Sequence, residues 1–220
     1  MVLMLFAPTW FYGYDVVLEV LFSIVAFAVA VLAFKVYKKS AQRNAGLFGI
    51  SFFLIGISYL IQSLLNFLIL SRANESICRG LRIQSITAFN NIGVMVHILF
   101  MTIGLSMLLY ITFRQKETKL LWLLIITSLS AIYFSYNMLY MFYLFSTIFL
   151  AFISWHFIQN YRNNSKSRTM VIALAFLFLL FGSFHFLVSV NHQLFYVIGH
   201  ILELMAYLLI LINYYLVLKK

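Results

Sequence analysis

Residues Leu194–Lys220 read LFYVIGHILELMAYLLILINYYLVLKK. A helix needs about 20 apolar residues to cross a bilayer, and this run is long enough. Two lysines close it, which predicts a transmembrane helix ending at a membrane surface. Inside it stand His200 and Glu203, three residues apart and so on one helical face. An ionisable group at membrane depth is expensive and marks a functional site by default. Glu203 is the one acid that falls deep in the hydrocarbon.

The rest of the chain repeats the pattern. Its 220 residues are 65% hydrophobic and 9% charged, which excludes an ordinary soluble domain. Aromatic residues make up 19%, fitting interfacial belts of Tyr and Trp. Charges cut the chain into apolar runs at residues 15–37, 45–71 and 87–113. Leu120–Asn160 then carries no Asp, Glu, Lys or Arg. One helix of that length would be roughly 60 Å long, twice the bilayer core. It must be two spans, 120–136 and 138–160, with a turn at Tyr136-Asn137. The last stretch, Thr169–Leu218, divides likewise at Asn191-His192-Gln193 into 169–190 and 194–218. The predicted fold class is all-α: a polytopic integral membrane protein, one seven-helix transmembrane domain over residues 1–220, with no linker, repeat or low-complexity tail.

The basic residues orient the bundle. Seven spans put twelve Lys and Arg on the side of the C-terminus, in the segments Lys35–Arg43, Arg114–Lys119, Arg162–Arg168 and Lys219–Lys220. The other side holds only Arg72, Arg79 and Arg82. The positive-inside rule therefore predicts an outside N-terminus and a cytoplasmic C-terminus, with the protein in the cell membrane. Topology thus explains the net charge of +10, and no nucleic-acid partner is implied. The partner is the lipid bilayer, and a membrane-protein partner or a second copy is compatible with the apolar faces. The opening residues lack a basic n-region and a signal-peptide core, and read as an interfacial segment with Trp10, Tyr12 and Tyr14 at headgroup level. The single cysteine, Cys78, excludes an intrachain disulfide and a cysteine-based zinc cage. It reads as an exposed thiol beside Arg79 and Arg82, or as a link between two copies.

Polar and small residues recur at helical spacing. The sets are Asp15, Glu19 and Ser23; Ser58, Gln62 and Asn66; Asn90, Gly93, His97 and Gly104; Thr127, Ser130 and Asn137; Gly182, His185 and Ser189; and Tyr196, His200, Glu203 and Tyr207. Polar groups facing lipid are unfavourable, so each stripe is expected to turn inward. Counting 1.5 Å per residue, Glu19 lies about one turn down, His185 and His200 roughly 8–9 Å, and His97 and Glu203 roughly 13 Å. The titratable groups gather in the outer half, in an outward-facing His/Glu pocket, with Asn66 and Asn90 capping it and Tyr207 on the face of Glu203.

Three chemistries use such a cluster. Imidazole and carboxylate suit a transition metal, with His97, His200 and Glu203 as ligands. A zinc held by three protein ligands and a water would be hydrolytic, so an enzyme stays open. A b-type haem takes two histidines from facing helices, here His97 with His185 or His200. Proton or cation translocation would use Glu203 as carrier and the histidines as relay. Against these stands a structural reading, in which the polar stripes of an assembly or sensor subunit only hold helices together. Retinal proteins share the seven-helix layout but need a lysine in the middle of the last helix. Ile198–Leu218 has none, which excludes covalent retinal.

Overall fold

The computed structural model describes residues 8–11, 13–70, 86–113, 117–189 and 192–218. Among them the protein is all-helical. A short 3-10 turn, Thr9–Phe11, precedes α1 (Tyr14–Ser40), α2 (Arg43–Leu70), α3 (Ile86–Thr112), α4 (Thr118–Tyr133), α5 (Met138–Asn164), α6 (Ser167–Val188) and α7 (Gln193–Leu218). Six of these are long and apolar enough to cross a membrane. The segment with Arg72, Cys78, Arg79 and Arg82 lies outside the described residues, as do Tyr12, Arg114, Lys116, Asn191, Lys219 and Lys220.

The polarity of α1 is inside out. Its buried face carries Asp15, Glu19 and Ser23, while Val17, Ile24 and Val31 are exposed. Water would penalise that arrangement and hydrocarbon favours it. The membrane reading therefore rests on geometry as well as composition.

Helix ends overrun the charges. α1 was expected to stop near Tyr37 but runs to Ser40, with Lys38 and Lys39 in its last turn and left-handed Ala41 as its cap. α5 likewise passes Asn160 and reaches Asn164, with Arg162 in its last turn and left-handed Ser165 after it. Cations at a helix C-terminus complement its dipole, so the charges mark the membrane surface rather than the end of the helix.

The helices form a closed ring in the order α1, α2, α3, α5, α6, α7, with α7 back against α1. Helix α4 stands outside, packed on α3 and α5. It has 16 residues, about 24 Å, short of the roughly 30 Å hydrocarbon core. Displacing α4 leaves α3 and α5 as parallel neighbours. His97 meets Phe142 with ring centroids 5.6 Å apart, and Phe113 meets Phe152 at 6.0 Å, so the numbers rise together.

One expected stripe does not turn inward. Thr127, Ser130 and Asn137 are all exposed, and the buried residues of α4 are Ile125, Ser128 and Ile132. The Thr127 hydroxyl donates to the Leu123 carbonyl at 2.6 Å, so its own helix satisfies it and lipid contact carries little penalty. Asn137 caps α5, accepting from the Tyr140 amide at 3.1 Å after the Phe134–Asn137 turn. Phe134 and Tyr136 project from that turn as aromatic anchors.

The topology carries a prediction. In a cysteine-free background, Ser165→Cys, in the α5–α6 connection, is expected to react with an impermeant thiol reagent from the cytoplasmic side alone. Labelling from outside only would invert the bundle.

Candidate functional site

The ring helices line a cavity of about 70 Å³. All six ring helices line it and α4 does not: Glu19 comes from α1, Tyr59 from α2, His97 from α3, Tyr143 from α5, Ser183 from α6, and His200, Glu203 and Tyr207 from α7. Glu19, His97, His200 and Glu203 are all buried.

These groups divide by how completely they are satisfied. The Asn66 amide donates to both oxygens of Glu19, at 3.1 and 3.0 Å. His97 is tied to α2: its Nδ1 lies 2.8 Å from the Ser58 hydroxyl and 3.1 Å from the Ser58 carbonyl, while that hydroxyl also donates to the His97 carbonyl at 2.9 Å. Both arrangements join neighbouring helices.

Glu203 is different. The Tyr59 hydroxyl donates to its Oε1 at 2.9 Å. Its Oε2 is 3.7 Å from Nδ1 of His200, too long for a hydrogen bond. That Oε2 and both ring nitrogens of His200 are buried without a protein partner, as is Oε1 of Gln62, another lining residue. Buried polar atoms without partners are costly, and most folded chains avoid them. The His200 ring sits among aromatics: Tyr196 at 4.6 Å, Phe186 at 5.0 Å, Phe11 at 5.7 Å and, stacked, Phe22 at 6.3 Å. Phe11, Phe186 and Tyr196 also form one apolar cluster, which covers the outer end of a pocket expected to face outward.

The close approach of α6 and α7 depends on Gly182. A Cβ there would meet the Gly199 carbonyl oxygen at 3.1 Å and the Glu203 Cγ at 3.2 Å. Gly182→Val is expected to overpack this contact and destabilise the bundle by about 1–3 kcal/mol, read as a lowered unfolding midpoint in detergent. An unchanged midpoint would show that the helices do not meet there.

The other expected site residues fall around this core. Asn66 and Asn90 are buried, and Tyr207 packs with Phe22 at 4.8 Å and Tyr59 at 5.8 Å. His185 does not line the cavity; its Nδ1 bonds the Phe181 carbonyl of its own helix at 2.7 Å and its ring touches Phe195. Tyr59 is the residue that the polar stripes passed over. It lies three positions before Gln62 and seven before Asn66, hence on their face.

Neither cofactor expectation finds its site. Among the described residues no three His, Cys, Asp or Glu side chains group closely enough to hold a metal ion. His97, His200 and Glu203 therefore do not form one shell, because Ser58 holds His97 against α2. A haem needs a pocket of several hundred Å³, far above 70 Å³.

No protein-family model, curated protein or solved structure matches the chain.

Proposed function

We propose that this multi-pass protein binds and releases a proton at Glu203, inside the polar cavity, as part of moving a solute or charge across the cell membrane. One observation carries the reading. A buried carboxyl oxygen and both nitrogens of its neighbouring imidazole lack protein partners beside a cavity of about 70 Å³. That volume holds a few waters and no drug-sized ligand. Tyr59 fixes one carboxyl oxygen, and the other is left to exchange a proton with water or with His200. The structural reading fits the neighbours instead: Glu19 and His97 are held by Asn66 and Ser58 and work as interhelical locks.

The test is infrared spectroscopy of the protein in lipid across a pH titration. A reversible carboxylic-acid band is expected in the wild type and should be missing in Glu203→Gln. Spectra of the two proteins that titrate identically would refute the assignment.

A further inference from the structure

We propose that Glu203 exchanges its proton with the cytoplasm, through a second cavity, and that the Phe52 side chain is the gate between the two. This rests on Glu203 as the proton group, but the route itself is read from geometry. The second cavity measures about 380 Å³ and is lined by Val36, Gln42, Asn44, Phe48, Ile111 and Asn213, among others. Gln42 lies in the α1–α2 connection, on the side where the basic residues place the cytoplasm.

The two cavities are stacked along the bundle axis. On α3, Leu108 lines the upper and Ile111 the lower. On α6 the pair is Phe176 and Ile172, and on α7 it is Tyr207 and Ile210. Each pair is about one helical turn apart, so the partition is roughly 5 Å thick. Among the described residues Phe52 alone lines both spaces. Its buried ring packs on Phe48, with centroids 4.8 Å apart, and Phe48 lines the lower cavity. A barrier opens only if the displaced side chain has somewhere to go, and the larger space lies directly beneath Phe52. The outer end of the upper cavity is covered by three packed aromatics, Phe11, Phe186 and Tyr196.

Silver ions in nitrate buffer, applied to oriented vesicles of a Cys78→Ser background, test the route with two conservative cysteines. Ala33→Cys lies in the lower cavity and Ser146→Cys in the upper. Ala33→Cys should react from the cytoplasmic side about tenfold faster than from outside. Phe52→Ala should speed the cytoplasmic reaction of Ser146→Cys by about tenfold or more, and Phe52→Leu, which keeps an apolar branched side chain, by less. Faster reaction of Ser146→Cys from outside, or a rate indifferent to both Phe52 variants in folded protein, would overturn the gate. Silver reads access whatever the protonation of Glu203, so route and proton group fail separately: a lost gate leaves the infrared band standing, and a missing band leaves the labelling pattern.

Discussion

Asn66→Leu is expected to cause a large loss of stability in the bundle interior. Glu19 is 1% exposed, and both its oxygens accept from the Asn66 amide. Leucine fills the space and removes the donor. If the carboxylate stays charged, breaking such a buried pair costs about 3–5 kcal/mol. If it takes up a proton instead, the unsatisfied group still costs about 1–3 kcal/mol. A chain of 220 residues loses roughly 2–4 °C of unfolding midpoint per kcal/mol. Removing both partners at once, in Glu19→Leu with Asn66→Leu, should recover much of the loss, because an apolar pair can replace a buried polar one at little cost. The midpoints of the two single variants and the double variant, measured in detergent, form the cycle. A neutral Asn66→Leu, or strictly additive effects, would show that the amide does not hold the carboxyl group.

The fold was legible because hydrophobic length and charge placement are one-dimensional signals. Counting residues between charges located seven helices, since a run twice the bilayer thickness must turn. The ring order was not legible. Nothing in the apolar run Leu120–Tyr133 shows that α4 stands outside the ring; its length hints at it only once the turn is known to begin at Phe134. The misread stripe on α4 has the same origin, because threonine at helical spacing looks alike whether it bonds a neighbour or its own backbone.

Site legibility followed the same division. Glu19, His97, His200 and Glu203 stood out as polar groups at membrane depth, and all four line the cavity. Tyr59 did not stand out, because tyrosine in a membrane helix reads first as an interfacial residue. Its period with Gln62 and Asn66 was the available signal. Phe11 left none, since an aromatic in a short segment before α1 says nothing about the imidazole it will cover. Which polar groups are satisfied and which are spare depends on distances of a few tenths of an ångström, and spacing along a helix does not carry that information.

The contrast between spare and satisfied groups sets the expectation for Glu203→Gln, which should abolish proton exchange and leave the fold in place. Glutamine keeps the shape and an oxygen able to accept from Tyr59, whose hydroxyl is 2.9 Å from the Glu203 carboxyl. It cannot bind and release a proton at any ordinary pH. Glu203→Leu should abolish exchange equally, but it also removes the acceptor of the buried Tyr59 hydroxyl, and an orphaned group of that kind costs about 1–3 kcal/mol. Two readouts therefore separate: proton-dependent signal falls to background in both variants, while the unfolding midpoint falls in the leucine variant alone. Tyr59→Phe completes the set. It frees the second carboxyl oxygen without removing the proton group, so exchange should persist with its midpoint moved along the pH axis. Proton uptake by the detergent-solubilised protein, followed with a pH-sensitive dye, measures all three. Undiminished uptake in Glu203→Gln would return Glu203 to the role of Glu19, a polar lock between helices.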